Sequence, residues 1–240
     1  MSPRKTSLLE VVVTARPSWA RVKSLVQAYS EIAGLDKIQV SLIGPAISRR
    51  YGDISSDVPL GITLNRFSSL LETDSCLDVS LSSLRGAEAL CQHWSISNPD
   101  CVLVIADRSE TLGVSAAATL MQIPLIHLQG GEVSGSIDDI IRNANSKLAD
   151  LHLTTNHESR RNLLNIGELD ENIKIVGCPS IDLISKRERD PESLVEFIWN
   201  SHGVGAQFDS DSDFSIIMLH PDTLNIPENK EWVQAIFKLI

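Results

Sequence analysis

Polar and charged side chains cluster between Cys101 and Arg142, directly after two runs of apolar residues. Asp107 and Arg108 follow the first run, and the segment HLQGGE at 127–132 closes the second. In an open α/β sheet, ligands bind outside the carboxyl ends of the strands, so side chains at two successive strand ends are expected to form one site. Carboxylates there could move protons, and arginines could hold a phosphate or orient an acid.

A second candidate lies at the end of the first apolar run, in Arg16-Pro17-Ser18 with Arg21 and Lys23. Arginine offers a fixed fork of donors to phosphate or carboxylate, and a helix N-terminus adds backbone N–H groups. The same residues would also suit an exposed helix start, so both interpretations stay open. Neither GxGxxG nor GxxxxGK[ST] occurs, so a Rossmann dinucleotide fingerprint and a P-loop are unsupported.

The acid-rich segments allow a structural and a functional interpretation. Asp107 to Glu110 could bind a ligand, or could simply cap the helix that follows. Asp138 and Arg142 are four residues apart, share a helix face and are able to pair. A capped helix with such a pair would not explain the histidine, amide, acid and paired glycines at 127–132, which favours function for that loop.

The histidines carry less information. His220 follows the last predicted strand, where a lone histidine is more often structural than catalytic. The others have the same structural interpretation, and no spacing among histidines and acids indicates a metal site.

Apolar runs of strand length alternate with helical segments at least six times, separated by short turns. This pattern predicts a doubly wound parallel α/β sheet of the Rossmann type. The predicted strands are 8–14, 38–43, 62–67, 101–106, 124–127, 151–155 and 173–176, with a separate strand at 214–219. The first predicted helix follows the first strand and ends at about residue 32, and the second begins after the N-cap Thr73 and ends at about residue 95. The other predicted helices are 109–122, 138–149, 157–166, 180–187, 191–200 and a last one from about 227 to the end. A polar loop at 203–213 suggests one domain at 1–203, then a linker and the start of an incomplete second domain at 204–240.

Composition limits the class of protein. The chain has 240 residues, of which 42% are apolar, enough for a substantial core, and a net charge of −10 argues against nucleic acid or an anionic membrane as partner. Four dispersed cysteines predict buried free thiols and a reducing, cytoplasmic setting. The N-terminal apolar run is too short for a signal peptide, and no segment reaches the roughly 20 apolar residues of a membrane span, so we expect a soluble protein.

Several segments occur in a distinctive order: Thr14-Ala15-Arg16-Pro17, Asp107-Arg108, His127 to Gly135, Ile137-Asp138-Asp139 with Arg142, and Gly177-Cys178-Pro179. Together they resemble the UDP-N-acetylglucosamine 2-epimerase family, and most of all its hydrolysing, sialic/legionaminic-acid-type branch, whose central signature reads HxEGGExSGxxDDxxRH. The resemblance covers nearly the whole chain.

The resemblance implies two Rossmann-like domains in a GT-B arrangement, of which this chain is mainly the N-terminal one. It implies that UDP leaves UDP-N-acetylglucosamine, or a related UDP-sugar, by elimination across C1–C2. Water then adds to give the 2-epimer, N-acetylmannosamine. No cofactor is expected, neither a nicotinamide nor a metal. A homo-oligomer is expected, because family members commonly pair.

Carried over by position, the resemblance assigns roles to the candidates. Asp107, Gln129 and Asp138 match the family's acid/base residues, and Arg16 and Arg21 face the diphosphate. Arg108 and Arg142 orient acids or substrate, and His220 lies near the leaving group. The catalytic candidates are Asp107, Gln129, Glu132, Asp138 and His220, and the substrate-binding candidates are Arg16, Ser18, Arg21, Arg108, His127 and Arg142.

The chain departs from the family pattern in three places. Gln129 stands where the motif has glutamate, and an amide cannot shuttle a proton, so either Glu132 or Asp138 takes over that role or the activity is changed. Asn143 stands where the branch has histidine. The second domain, which supplies most uridine contacts in the family, is nearly absent, which predicts weak or no turnover for this chain alone.

Other functions remain as alternatives. A non-hydrolysing UDP-sugar 2-epimerase is disfavoured by the paired aspartates and the GGE loop. A non-catalytic UDP-sugar-binding domain is motivated by Gln129. An unrelated flavodoxin-like module would leave the motifs unexplained, and the sugar could be N-acetylglucosamine or a diacetamido sugar.

Overall fold

A seven-stranded parallel sheet forms the centre of the computed structural model, which describes residues 7–71, 75–185, 215–219 and 226–238. The strands are β1 Leu9–Val13, β2 Ile38–Ile43, β3 Thr63–Phe67, β4 Cys101–Ile105, β5 Leu125–Leu128, β6 Leu151–Thr154 and β7 Ile173–Ile175. Their order is β3-β2-β1-β4-β5-β6-β7, and every neighbouring pair is parallel. The predicted doubly wound sheet is confirmed, and its winding reverses between β1 and β4, where such sheets bind ligands.

Helices flank the sheet and connect its strands. They are α1 Arg16–Ala33, α2 Cys76–Ser97, α3 Ser109–Leu120, α4 Asp138–Leu148, α5 His157–Asn165, α6 Pro179–Ser185 and α7 Ile226–Phe237. Each predicted helix that falls on described residues is present, with ends that differ by a few residues. The predicted helix at 191–200 and the polar loop at 203–213 lie outside the described residues.

Two apolar clusters form the core. Val11 and Val13 of β1 pack with Trp19, Val22 and Val26 of α1. Val12, the intervening residue of β1, belongs to the second cluster, whose other members include Val102, Val104, Leu90, Trp94 and Val114. Because β1 is buried along its whole length, its sequence is a continuous apolar run apart from Glu10.

The start of α2 differs from the prediction. Ser75 is the N-cap, and its hydroxyl accepts a hydrogen bond from the backbone N–H of Asp78 at 3.1 Å. Thr73, the predicted cap, lies outside the described residues. Several cap-forming residues occur in a row here, and Ser75 is the one that places an acid, Asp78, at the third position of the helix, which suits the helix dipole.

The predicted strand at 214–219 is wrong for the residues that are described. Residues 215–219 have no regular secondary structure, and the side chains of Ile216 and Met218 are 78% and 74% exposed. A β-branched run forms a strand only where neighbouring strands pair with it, and the described residues offer this segment no such partner.

The chain divides into two units, Met1–Arg187 and Glu188–Ile240. The sheet and α1 to α6 belong to the first unit, and α7 to the second. The predicted division at 203/204 stays a prediction.

The cysteines are free, as predicted, but they are not buried. Cys76 is exposed because it occupies the first position of α2, and Cys91, Cys101 and Cys178 are half-buried. Among the residues that the structure describes, none of the helices combines the length and the apolar character needed to cross a membrane.

Candidate active site

The chain takes the same unusual conformation as it leaves β4 and β5. Ala106 and Gln129, the residues that directly follow these strands, have left-handed φ angles of 57° and 65°. Residues with a side chain rarely adopt such angles, and they persist where surrounding contacts hold them. The carbonyl of Ala106 accepts hydrogen bonds from His127 Nε2 at 2.9 Å and from Asn145 Nδ2 at 3.2 Å. The two loops therefore start from fixed positions.

His127 links β4, β5 and α4 from inside the core. Its Nε2 must carry the proton because a carbonyl can only accept, so Nδ1 accepts from the hydroxyl of Ser146 at 3.0 Å. Burial lowers the pKa of His127 to about 4, against the opposing effect of the Ala106 carbonyl, so the ring is neutral at pH 7. Both ring nitrogens are occupied, which fits positioning rather than direct contact with a substrate.

Arg142 of α4 joins the loops after β4 and β5. Its guanidinium is 5% exposed and donates to the carboxylates of Asp107 and Asp139, and to the backbone carbonyl of Glu132 at 2.8 Å. Burial lowers the pKa of Arg142, and the positive charge of Arg21 lowers it further, which places Arg21 near this cluster.

The predicted pair between Asp138 and Arg142 is replaced by other pairs. Asp139, three residues before Arg142, and Asp107, from another strand end, hold the guanidinium instead. Asp138 is exposed at the first position of α4, where its backbone N–H donates to Ser136 Oγ at 3.2 Å. Its carboxylate makes no ion pair with the described residues.

Asp139 also organises the loop before α4. Its carboxylate accepts from the backbone N–H and the hydroxyl of Ser134, each at 2.8 Å, and from the N–H of Gly135 at 2.8 Å. Burial acts to raise the pKa of Asp139, but the hydrogen bonds from Ser134 and Gly135 outweigh it and lower the pKa. The carboxylate is therefore charged at neutral pH.

The side chains of Gln129 and Glu132 contact different parts of the protein. Gln129 is 3% exposed, its Nε2 lies 3.6 Å from Cys178 Sγ, and its buried Oε1 has no hydrogen-bond partner among the described residues. Such an oxygen costs roughly 1–3 kcal/mol, so the protein tolerates an unmet acceptor here. The carboxylate of Glu132 accepts from the hydroxyl of Thr155 at 3.0 Å, beyond the end of β6.

The segment that carries Cys178 is fixed from the opposite side. The hydroxyl of Ser24 in α1 donates to the carbonyl of Pro179 at 3.3 Å, and the hydroxyl of Ser180 donates to the carbonyl of Ala20 at 3.3 Å. The loop after β7 therefore lies against α1 and closes over Gln129.

A cavity of about 380 Å³ opens beside the carboxyl ends of β1 and β4. Arg16, Tyr51, Arg108 and Glu110 line its polar part, and Pro45, Leu70, Leu71 and Val79 line its apolar part. Arg16 is exposed and runs over Gly52, where a Cβ atom would lie only 3.2 Å from Arg16 Cδ. Gly52 also has a φ of 86°, a left-handed angle that favours glycine at this position.

Arg108 and Ser18 show that ligand binding is not the only use of these residues. Arg108 donates two hydrogen bonds to the buried carboxylate of Glu110, from Nε at 3.1 Å and from Nη2 at 3.2 Å. Its side chain is nevertheless 39% exposed. Ser18 is 5% exposed, with its hydroxyl 3.4 Å from that of Thr14. Arg108 can serve both roles, whereas Ser18 belongs to the start of α1.

The structure thus brings Asp107, Arg142 and the backbone of Glu132 together, and places Arg16 and Arg108 on the cavity. His220 lies outside the described residues. Sequence reasoning missed residues that position the others: Ser134, Asp139, Asn145, Ser146 and Cys178. The sequence does contain a pattern that points to Asn145 and Ser146, because they follow Arg142 at helical spacing. The three residues form the buried, polar side of α4.

Comparison with known proteins shows the family of this chain. A family model described as UDP-N-acetylglucosamine 2-epimerase matches residues 31–240. The hydrolysing GDP/UDP-N,N'-diacetylbacillosamine 2-epimerase of Campylobacter jejuni is 26% identical over 99% of this chain and 60% of its own length. The hydrolysing UDP-N,N'-diacetylbacillosamine 2-epimerase of Legionella pneumophila is 32% identical over 66% of this chain and 41% of its own length. The chain thus spans less than two thirds of the length of either relative.

Solved structures show the same fold. A crystal structure of a UDP-N-acetylglucosamine 2-epimerase matches 78% of this chain and 50% of its own, with a TM-score of 0.66 and 23% identity. The enzyme from Neisseria meningitidis, solved with UDP-GlcNAc bound, matches 80% of this chain and 50% of its own, with a TM-score of 0.62 and 18% identity. The predicted Rossmann-like fold is confirmed, and it corresponds to half of each of these longer chains.

Proposed function

This chain belongs to the UDP-N-acetylglucosamine 2-epimerase family, and we propose that it carries the acid/base part of a hydrolysing UDP-sugar 2-epimerase site. The observation that carries the proposal is the arrangement at the sheet's switch point. A carboxylate held by Arg142 at the end of β4 and an unpaired carboxylate at the start of α4 belong to adjoining loops, and arginines line a nearby cavity. The names of the two hydrolysing relatives support the branch.

The proposed reaction begins with removal of the C2 proton of the sugar. Its electron pair forms a C1=C2 double bond as the C1–O bond to the diphosphate breaks, and UDP leaves. Water then adds its hydroxyl to C1, and a proton returns to C2 from the opposite face, so the product is a free 2-epimer. This sequence needs two proton-transfer groups and a positive environment for the departing diphosphate.

The residues divide between these tasks. Asp138 is exposed and free to accept the C2 proton, whereas Asp107 is oriented by Arg142 and serves as the second proton-transfer group. Arg16 and Arg108, on the cavity, hold the diphosphate. Gln129 is buried beneath the loop after β7, and its amide cannot carry a proton, so it takes no part in proton transfer.

Product analysis tests the proposal. The chain is incubated with UDP-N-acetylglucosamine, UDP release is measured, and the sugar is identified by NMR. Free N-acetylmannosamine supports hydrolysis, and UDP-N-acetylmannosamine would instead indicate the non-hydrolysing reaction. Calorimetric binding without product would indicate a UDP-sugar-binding domain, as Gln129 allows, and the same assay measures how weak turnover by this chain is.

The first variant for this assay is Asp138→Asn. Because an amide cannot take the C2 proton, we expect UDP release to fall by roughly a hundredfold or more, with unchanged circular dichroism and thermal unfolding. Asp36→Asn is the matched control, since Asp36 is also exposed but lies before β2, away from the site. Retained turnover in Asp138→Asn would remove Asp138 from the mechanism.

A diacetamido sugar is a second candidate for the substrate. Both hydrolysing relatives are named for N,N'-diacetylbacillosamine, and the cavity has an apolar wall of Leu70, Leu71 and Val79 that could receive an additional methyl group. One methyl group in an apolar pocket is worth about 10-fold or more in kcat/KM. Competition between the two UDP-sugars, with UDP-N,N'-diacetylbacillosamine preferred by at least this factor, would establish the substrate class.

A further inference from the structure

Asp139 receives four donors from three residues. Three come from the loop before α4: the N–H and hydroxyl of Ser134 and the N–H of Gly135. The fourth comes from Nη1 of Arg142, three residues later in the helix. Three of these donors, including Arg142, meet Oδ1 and one meets Oδ2, so most of the acceptor capacity of Asp139 is used by the protein.

The arrangement is more than an ordinary helix cap. The N-cap position of α4 is Ile137, which has helical angles and makes no side-chain cap, while Asp139 lies inside the first turn. From there its carboxylate reaches back to residues four and five positions earlier. Gly135 has a φ of 78°, so the backbone of this loop turns in a way that most residues would resist. The loop therefore needs an external anchor, and Asp139 supplies it.

The same carboxylate also fixes the far end of Arg142. Nη1 of Arg142 donates to Asp139 and to the Glu132 carbonyl, and Nη2 donates to Asp107. A guanidinium is planar and rigid, so fixing Nη1 also fixes the direction of Nη2. The position of Asp107, at the end of β4, thus depends on a residue in α4.

We propose that Asp139 is a positioning residue that anchors the 132–136 loop to α4 and, through Arg142, orients Asp107 for proton transfer. The second part rests on the function proposed above, and the first does not. Two adjacent acids in α4 then have separate tasks, since Asp138 is exposed and available to substrate while Asp139 is engaged by the protein. Misplacement of a reacting group by about 1 Å costs on the order of a hundredfold in rate.

The test compares Asp139→Ala and Asp139→Asn with Asp170→Asn. Asp170 is an acid in an exposed pair with Arg160, outside the site, and serves as the control. For Asp139→Ala we expect kcat to fall by about 10- to 100-fold while KM for the UDP-sugar changes by less than about threefold. Asp139→Asn keeps one acceptor oxygen, so its effect should be smaller, and Asp170→Asn should behave as wild type.

Amide hydrogen exchange and NMR test the anchoring without any need for turnover. In wild type the N–H groups of Ser134 and Gly135 should be protected and the guanidinium protons of Arg142 should give slowly exchanging signals. In Asp139→Ala both amides should exchange at least about tenfold faster and the Arg142 signals should broaden, while amides in β1 and β4 stay protected. Unchanged exchange at Ser134, Gly135 and Arg142 would overturn the anchoring role, whatever the activity.

The two proposals fail in different ways. If wild type binds UDP-sugar but releases no UDP, the proposed function fails, and the exchange results still decide whether Asp139 anchors the loop. If wild type is active and Asp139→Ala keeps its kcat although exchange increases, the link from Asp139 to Asp107 is wrong. If every amide of the sheet loses protection in Asp139→Ala, the residue is structural for the whole domain, and the positioning role is overturned.

Discussion

The carboxylates of Asp107 and Asp139 share a guanidinium, whereas the carboxylate of Glu10, in β1, meets only neutral donors and a histidine. Glu10 is fully buried and accepts from the amide of Gln39 and the hydroxyl of Ser41, with His93 Nε2 at 3.5 Å. Burial raises the pKa of Glu10, although these hydrogen bonds and the charge of His93 oppose the increase. At Asp139 the balance is reversed, and the pKa is lowered.

The difference shows how one sheet can hold acids of two kinds. Where donors are neutral and water is excluded, a carboxylate is pushed towards its protonated form and acts as part of the core. Where a guanidinium and backbone N–H groups converge at the strand ends, the carboxylates are ion-paired and partly open to solvent: the side chains of Asp107 and Asp139 are 18% and 23% exposed. Only the second kind combines an ion-paired carboxylate with partial access to solvent, and in the proposed reaction Asp107 uses that access while Asp139 positions Arg142.

Removal of the shared cation should give the largest change in stability. Arg142→Met leaves Asp107 and Asp139 without their counter-ion, and breaking a buried ion pair from one side costs about 3 kcal/mol or more. We expect the free energy of unfolding, measured by urea denaturation at pH 7, to fall by about that amount. The loss should shrink in acid, where the carboxylates become protonated and no longer need the cation.

Arg161→Met is the matched control for this prediction. Arg161 pairs with Glu158 on the surface of α5, with both side chains largely exposed, and such pairs contribute at most about 1 kcal/mol. Equal losses of unfolding free energy in the two variants would mean that the cluster of Arg142 with Asp107 and Asp139 contributes no more than a surface ion pair. The contrast with Glu10 would then disappear.

The variant Gln129→Glu tests whether a new carboxylate at position 129 behaves like Glu10, with a raised pKa, or like Asp139, with a lowered one. The side chain is buried and its contact is Cys178 rather than a cation, so we expect behaviour like that of Glu10, with a raised pKa. The free energy of unfolding should fall by about 2 kcal/mol at pH 8 and by less at pH 5. Gln129→Met removes the unpartnered oxygen without adding charge and should be neutral or stabilising.

The same variant also bears on function. A carboxylate at position 129 can carry a proton, so an increase in UDP release would indicate that Gln129 limits the reaction. Unchanged stability at both pH values would instead show that solvent or a nearby cation reaches this side chain, and Gln129 would then belong with the Arg142 cluster.

Much of the fold could be predicted from sequence, because the central strands β1, β2 and β4 are buried on both faces and read as apolar runs, while their alternation with helical segments locates the more exposed strands β3 and β7. All seven sheet strands were located this way to within about two residues. The segment at 214–219 has the same composition and is no strand among the described residues, since a strand also depends on neighbours that composition does not reveal.

The site was predictable in its location but not in its contacts. Strand ends identified the loops, yet helical spacing alone could not show that Asp139 and Asp107, rather than Asp138, hold Arg142. The sequence lists His127 among the substrate-binding candidates, and only the three-dimensional structure shows that both of its ring nitrogens are buried and hydrogen-bonded. The usual rule that polar residues face solvent also fails on α4, whose buried side is polar.

The pH dependence of stability in Glu10→Gln and Asp139→Asn is the smallest predicted effect. It also separates the two kinds of acid most directly. Because the pKa of Glu10 is raised in the folded state, its favourable contribution is present in acid and is lost as pH rises from about 4.5 through the raised value. Asp139 has a lowered pKa, so its contribution is present above about 3.8 and is lost as pH falls through the lowered value. Urea unfolding of wild type and each variant between pH 3 and 8 should therefore give difference curves of opposite slope, each spanning about 1 kcal/mol. Slopes of the same sign for Glu10 and Asp139 would mean that the hydrogen bonds from Ser134 and Gly135 do not separate Asp139 from a core acid.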